Sequence, residues 1–188
     1  TATAECISFS KRKATIKACL LDEQHRLVCG IEATFHVIHH HIFEGFIIIF
    51  INKHGFQQQN LYHKKKPLLD LTFSGPAAAA SLGEIHDADC AGHFPQFPAL
   101  PVAILMGSLL DLAFAYIHHI TGNSSLKMHV REMTLLAENL GFSGETIALQ
   151  LKQEDCSDNR FKLRCTATSA GNKSVGDITA IIETVKPM

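Results

Sequence analysis

The start of the chain alternates between apolar and polar side chains. Three segments rich in Ile, Val, Thr, Phe and Cys, at 5–10, 14–21 and 27–37, have the two-residue period of β-strands. The polar run DEQH at 22–25 separates the second segment from the third. This pattern predicts an antiparallel meander of three strands.

The following segment, IFEGFIIIFINK at 42–53, is compatible with two structures. Its isoleucine run favours a strand. Phe43, Phe46, Ile47 and Phe50, however, fall at i, i+3, i+4 and i+7, which is one face of a helix. We favour the helix.

A second domain is predicted at 68–188, separated from the first part at 1–55 by a linker at 56–67. We predict this linker because the polar run GFQQQNLYHKKKP has no apolar periodicity. In the second domain an apolar segment at 101–118 lies between strand-like runs. Because that segment is apolar on every face, we expect a helix that is almost fully buried and wrapped by antiparallel strands. The strand-like runs are 68–73, 77–86, 127–137, 146–154, 160–170 and 174–185.

Composition and charge exclude several classes of protein. With 188 residues, 46% hydrophobic and 19% charged, the chain can form a substantial core. The formal net charge of -1 gives no overall attraction to nucleic acid. We interpret the basic run at 64–66 as a solvated surface or a rim for phosphates. Because Asp111 interrupts the apolar run at 100–120, which begins at prolines, we expect a core helix and no membrane span.

No metal or cofactor is expected. The six cysteines show no C-x-x-C spacing, and we expect most of them to be buried thiols in a reducing cytoplasm. The histidines at 36 and 39–41 include three consecutive residues, which cannot all face one ion from a strand or a helix. We therefore predict a cytoplasmic protein without a metal site.

The loop GHFPQFPALP at 92–101 is the most specific motif. It places His93 in a segment with three prolines, directly before the apolar helix. The motif resembles the GHFPxxPxxP signature of the hot-dog fold 3-hydroxyacyl-thioester dehydratases. The resemblance implies an α+β hot-dog fold, in which an antiparallel sheet wraps around one long central helix. The strands at 5–37 resemble a partial hot-dog unit that precedes it.

The resemblance also implies a site. His93 would be the catalytic base that removes a proton next to the thioester carbonyl, a task suited to a neutral imidazole. The backbone N–H groups of Phe94 and Val102 would stabilise the charge on the thioester oxygen. Phe94, Phe97 and the face of the helix at 105–109 would line a narrow apolar tunnel for the acyl chain, open to solvent at a polar rim. The family's acidic partner lies fourteen residues after the histidine, and that position is Gly107 here, where the missing side chain would leave room for an acyl chain.

Asp111 is the only acidic residue of the predicted helix. It lies four residues beyond Gly107, a rotation of about 40° and a displacement of about 6 Å along the axis. The carboxylate therefore does not replace the missing acid directly. It suits the role that some hot-dog thioesterases give to a carboxylate on this helix, which is to activate water or to attack the thioester. The alternative is a structural carboxylate bonded to the backbone or to a histidine such as His93 or His129.

Three functions are compatible with these residues. The leading hypothesis is a dehydratase-like protein that processes acyl thioesters of coenzyme A or acyl carrier protein. The alternatives are a hot-dog acyl-CoA thioesterase that uses Asp111, and a noncatalytic subunit that binds acyl thioesters. The motif around His93 favours the dehydratase, and Gly107 favours either alternative. We also expect a homodimer or higher homo-oligomer, formed through edge strands or helix contacts.

Overall fold

The computed structural model describes residues 1–36, 65–91, 98–137 and 139–185. The chain divides into two units, Thr1–Gly55 and Phe56–Met188. The helix predicted at 42–53 and most of the predicted linker lie outside the described residues.

The first unit contains the predicted meander of three antiparallel strands. The strands are β1 (Ala2–Phe9), β2 (Lys13–Leu21) and β3 (Leu27–His36). Asp22 holds the turn between β2 and β3, because its Oδ1 accepts the N–H of Gln24 at 2.8 Å and that of Arg26 at 2.9 Å. The Arg26 Nε donates to Asp22 Oδ2 at 2.7 Å. The backbone N–H of Arg26, followed by its guanidinium, lowers the pKa of Asp22 below its ordinary value.

The two faces of this small sheet differ in polarity. Residues that oppose one another across the strands point to the same face, so Ala4, Ala18 and Ile31 share one face while Lys17 and Glu32 share the other. No described residue from 1 to 35 is buried. The described residues of this unit therefore leave the apolar face uncovered. Its members are Ala2, Ala4, Cys6, Phe9, Ala14, Ile16, Ala18, Leu20, Cys29, Ile31, Ala33 and Phe35.

The second unit contains a six-stranded antiparallel sheet. Its strands are β4 (Leu69–Ser74), β5 (Ala77–Glu84), β6 (Lys127–Leu136), β7 (Thr146–Ser157), β8 (Arg160–Ser169) and β9 (Lys173–Val185). Their order in the sheet is β4-β5-β7-β8-β9-β6, so β4 and β6 are the edge strands. Strand β7 extends three residues beyond the predicted end at 154, because it stays paired with β8 as far as the turn that joins them.

Two helices precede β6 in the described residues of this unit, the short α1 (Asp87–Cys90) and the long α2 (Val102–Thr121). Helix α2 follows Pro101 and ends at Gly122, whose φ of 64° lies in the left-handed region that favours glycine. It is the helix predicted at 101–118, and it packs against β5, β7, β8 and β9. By length and composition alone this helix could cross a membrane, but here one of its faces packs against the sheet.

The core lies between α2 and the sheet. Gly176 of β9 allows the two to approach closely, because a Cβ at that position would lie 2.9 Å from Leu105 Cδ2 and 3.6 Å from Leu109 Cδ1. The strand residues that are completely inaccessible to solvent are Ile147, Leu149, Leu163, Cys165, Ala167, Val175, Ile178, Ala180 and Ile182.

The prediction that α2 is almost fully buried is wrong. One face is buried, and most of the remaining positions are only half-buried. The sheet covers one side of the helix within a single chain, whereas the apolar pattern of the sequence had indicated cover on every side. The half-buried apolar residues include Ile104, Leu110 and Phe114, which pack at the margin of the core. The buried residues are Leu105, Ser108, Leu109, Leu112, Ala113, Tyr116 and Ile117.

Candidate active site

The loop that carries the dehydratase-like motif is described only at its two ends. Residues 92–97, which include His93, Phe94 and Phe97, lie outside the described part of the chain. The roles predicted for these three residues stay predictions. The described structure begins again at Pro98, three residues before the N-terminal cap of α2.

Both chain segments that flank this loop are attached to one turn. The N–H of Ser143 donates to the Pro98 carbonyl at 3.0 Å, and the N–H of Leu100 donates to the Gly141 carbonyl at 2.8 Å. On the other side of the loop, the N–H of Gly144 donates to the Ile85 carbonyl at 2.7 Å. The turn at 141–144 therefore fixes the point where β5 ends and the point where the chain enters α2.

Glu145 braces that turn. Its carboxylate accepts the N–H of Phe142 at 2.9 Å and the Lys173 ammonium at 2.7 and 3.0 Å. Lys173 also donates to the Leu140 carbonyl at 3.1 Å. Partial burial acts to raise the pKa of Glu145, but the Lys173 and Phe142 donors outweigh it and hold the pKa below its ordinary value. Sequence reasoning missed this pair because 28 residues separate its members and neither belongs to a motif.

The first turn of α2 has backbone donors at its open end. The N–H groups of Ile104 and Leu105 both donate to the Pro101 carbonyl, at 3.0 and 3.1 Å. The N–H groups of Val102 and Ala103 precede them, in the positions that lack an intrahelical acceptor. Val102 is half-buried and Ala103 is exposed. This end of the helix can therefore stabilise a negative oxygen, which is the chemistry predicted for the Val102 N–H group.

Gly107 faces space that no described residue fills. A Cβ built on this half-buried residue would have no atom of another described element within 4 Å. A side chain or a ligand can therefore occupy the volume beside this turn of α2.

Asp111 lies one helical turn beyond Gly107, and its side chain is 23% exposed. Its Oδ1 accepts a hydrogen bond from the Lys65 ammonium, whose side chain is 62% exposed. The alternative partner His129 does not contact it, because His129 opposes Glu183 on the outer face of the sheet, away from α2. The partner of Asp111 is thus a lysine that sequence reasoning had assigned to a solvated run.

Lys66, the next residue, is bound more deeply. Its side chain is only 12% exposed, and its ammonium donates to Asp89 Oδ2 at 2.5 Å and to the Glu84 carbonyl at 3.0 Å. Partial burial acts to raise the pKa of Asp89, but the Lys66 ammonium and the His86 N–H outweigh it and lower the pKa. The interpretation of the run at 64–66 as solvated is therefore wrong for Lys66, because the Asp89 carboxylate and the Glu84 carbonyl bind its ammonium group.

The candidate groups on α2 are separated along the helix axis. Val102 and Asp111 are nine residues apart, which is about 14 Å at 1.5 Å per residue. A carbonyl oxygen at the N–H group of Val102 therefore cannot also place its carbon beside Asp111 of the same chain. Leu105 and Leu109, which lie between them, are buried against the sheet.

Neither a reactive thiol nor a metal cluster is present in the described part of this region. Burial, followed by the charges of Asp89 and Asp87, raises the pKa of Cys90 to about 11, so its thiol stays neutral. Of the six cysteines only Cys90 and Cys165 are buried, so the prediction that most of them are buried is wrong. Among the described residues, no group of three or more His, Cys, Asp or Glu side chains could hold a metal ion. The chemistry available there is that of a carboxylate, ammonium groups and backbone donors.

No protein-family model matches the sequence, and no curated protein matches it significantly. Solved structures do match. A proposed thioesterase, yhdA from Lactococcus lactis, has a TM-score of 0.57 at 10% identity, over 65% of this chain and 95% of that chain. The protein smu.793 from Streptococcus mutans, solved with acetyl-CoA bound, has a TM-score of 0.52 at 8% identity, over 69% and 97%. PaaI from the E. coli phenylacetic acid degradation operon has a TM-score of 0.51 at 16% identity, over 61% and 81%.

At these identities the likeness concerns the fold. It agrees with the strand order β4-β5-β7-β8-β9-β6 around the long helix α2. The fold class predicted from the sequence is confirmed: the chain has an α+β hot-dog fold, with an antiparallel sheet wrapped around one central helix.

Proposed function

We propose that this protein hydrolyses acyl thioesters of coenzyme A, with Asp111 as the catalytic carboxylate. The observation that carries the proposal is the position of Asp111, the only acidic residue of α2, one turn from the open space at Gly107. Proteins of the same fold support the substrate class, since one is described as a proposed thioesterase and another was solved with acetyl-CoA.

The reaction requires a base and a hydrogen-bond donor that stabilises the negative charge on the carbonyl oxygen. A water oxygen bonds to the thioester carbon, the carbon–sulfur bond breaks, and the sulfur leaves as a thiolate that takes up a proton. Asp111 can accept the proton of the attacking water. It can also attack the carbon itself, which forms an anhydride that water then opens to the acid. In both routes a backbone N–H group stabilises the carbonyl oxygen while it carries negative charge.

The proposed site is completed by a second copy of the chain. Because Val102 and Asp111 of one chain are about 14 Å apart along α2, a carbonyl oxygen bound by the Val102 N–H group would have its carbon attacked with the help of Asp111 from a second chain. The half-buried face of α2 and the edge strand β6, which pairs only with β9 among the described strands, offer surfaces for such a homodimer. We expect size-exclusion chromatography with light scattering to give at least twice the 20.7 kDa mass of one chain.

The test is release of the coenzyme A thiol from acyl-CoA substrates of increasing acyl length. We expect Asp111→Asn to lower kcat by a factor on the order of 10² to 10⁴, because the amide cannot accept the proton or act as nucleophile. The matched control is Asp177→Asn, since Asp177 is also bound by a cation and its side chain is 21% exposed, but it lies on the outer face of the sheet. Full activity of Asp111→Asn, or no hydrolysis by the wild type, would refute the proposal.

A second candidate function is a dehydratase-like activity on acyl-CoA or acyl carrier protein thioesters. The sequence GHFPQFPALP around His93 favours it, whereas Gly107 removes the acid that this chemistry needs. Because no described residue fills the space beside Gly107, Gly107→Glu can place a carboxyl group there. We expect this variant to hydrate an enoyl thioester faster than the wild type if the dehydratase function is right. If both proteins are inert in both assays but bind acyl-CoA in calorimetry, the noncatalytic function is supported.

A further inference from the structure

We infer that Lys65 is the positioning residue of Asp111: its ammonium holds Oδ1 of the carboxylate and leaves Oδ2 as the oxygen that can accept a proton from water. The contact itself is a hydrogen-bonded ion pair between Lys65 Nζ and Asp111 Oδ1. Within the described residues no donor contacts Oδ2. The catalytic part of this inference rests on the proposed function, whereas the contact does not.

The chain segment that carries Lys65 is anchored immediately beside it. Lys66 binds the carbonyl of Glu84, at the end of β5, and the carboxylate of Asp89 in α1. Consecutive Cα atoms are 3.8 Å apart, so the anchored Lys66 fixes where the side chain of Lys65 begins. Lys65 then reaches α2, and the two lysines connect three elements around the candidate site.

The pair is poorly suited to a purely stabilising role. An ion pair with one partner as exposed as Lys65 is screened by solvent and contributes little to stability. Fixing one carboxylate oxygen has a larger consequence for catalysis, because a reacting group held in one orientation needs no reorganisation when the substrate binds. Lys65 therefore has more to contribute to the rate than to the fold.

The chain contains an ion pair of the opposite kind for comparison. Arg164 donates from Nε to both oxygens of Asp177, at 3.2 and 3.1 Å, and from Nη2 to Oδ2 at 2.6 Å. A guanidinium fork therefore occupies both oxygens, whereas a lysine ammonium binds as a point charge. The lysine at Asp111 leaves one oxygen available, and the arginine at Asp177 leaves none.

The contact is tested first without any assay of activity. A carbodiimide converts a carboxylate and an adjacent amine into an amide, so it joins only side chains in direct contact. In the full-length wild type we expect mass spectrometry to find a link between Lys65 and Asp111, together with the internal standard Lys173–Glu145. Lys65→Arg and Asp111→Asn should each lose the first link and keep the second. A standard link without a Lys65–Asp111 link in the wild type would overturn the inference.

The positioning role is tested by kinetics. We expect Lys65→Ala to lower kcat by about tenfold or more, while KM stays within about twofold and the melting temperature is unchanged, because orientation and not binding is lost. Ethylammonium in the buffer should restore part of kcat in this variant. The matched control is Lys162→Ala, which breaks the ion pair with Glu154 at 3.0 Å on another part of the surface. An unchanged kcat, or a change in KM alone, would contradict the positioning role.

The two proposals fail in different ways. If the wild type hydrolyses no acyl-CoA although the Lys65–Asp111 link forms, the proposed function is refuted and the catalytic part of the inference with it. If hydrolysis depends on Asp111 but not on Lys65, only the inference is refuted.

Discussion

Leu20 of β2 and Leu149 of β7 occupy comparable positions, each on the apolar face of an inner strand of an antiparallel sheet, yet Leu20 is 46% exposed and Leu149 is fully buried. The same contrast holds for whole faces. Phe9, Ile31 and Phe35 of the three-stranded sheet are all more than half exposed, whereas the inner residues of the six-stranded sheet are buried under α2.

The difference shows what alternation does and does not determine. A two-residue period divides the side chains of a strand between two faces, and both sheets have this division. Burial requires a second layer, and only the six-stranded sheet has one among the described residues. An amphipathic sheet is therefore a necessary but insufficient condition for a core.

Truncating a leucine in each sheet gives the largest expected difference. Leu149→Ala should lower the free energy of unfolding by about 2–5 kcal/mol, because it leaves a cavity in the core. Leu20→Ala, the same chemical change on an exposed face, should cost well under about 1 kcal/mol. Urea unfolding combined with hydrogen exchange of β2 and β7 amides assigns each effect to its own unit.

An equal loss in the two variants would break the comparison. It would mean that the apolar face of the three-stranded sheet is covered in solution. A solvent-exposed control in the second unit, such as Leu136→Ala, should behave like Leu20→Ala.

Adding a methyl group to a glycine in each sheet gives a smaller difference of the same kind. In Gly176→Ala the new Cβ would lie 2.9 Å from Leu105 Cδ2, so α2 or its side chains must shift. We expect a loss of about 1–3 kcal/mol, as for other overpacked cores. In Gly30→Ala the nearest atom is Leu27 Cδ2 at 4.0 Å, and the reduced freedom of the unfolded chain should make the change neutral or slightly stabilising. Thermal unfolding of both variants measures this difference. An unchanged stability of Gly176→Ala would show that the packing between β9 and α2 leaves room for an extra methyl group.

The strands and α2 could be predicted from sequence because each is coded locally. Alternation marked the strands, and the apolar run with its leading prolines marked the helix and its start. The extent of helix burial could not be predicted in the same way. Leu110 and Phe114 have the same local signal as Leu109 and Ala113, yet the number of layers over each face is a property of the assembled fold.

The candidate site divides in the same manner. Asp111 and Gly107 could be singled out by their positions in one helix. The partners of the site could not, because Lys65 and Asp111 are 46 residues apart and Lys66 and Asp89 are 23 apart. A run of three lysines is usually solvated, and no local feature of the sequence distinguishes the member that folds back onto an internal carboxylate.

The smallest expected difference is in the response to acid of one paired carboxylate in each unit. Glu145 is half-buried and bound by Lys173, and Asp22 is bound by Arg26 in the turn of the three-stranded sheet. Both have a folded pKa below the ordinary value, which is 4.5 for Glu145.

A carboxylate with a lowered folded pKa contributes stability above its unfolded pKa, and the contribution is lost as the pH falls through the folded pKa. Glu145→Gln should therefore cost on the order of 1 kcal/mol near pH 7, and this cost should shrink as the pH falls below the ordinary pKa of 4.5 and through the lower folded pKa. Asp22→Asn should follow the same direction with a smaller effect that added salt removes, because its partner is exposed. Urea unfolding across this pH range, with amides of β9 and β2 as separate reporters, distinguishes the effects of the two variants. If the cost of Glu145→Gln persisted undiminished in acid, the shape of the side chain and not its charge would hold the turn at 141–144.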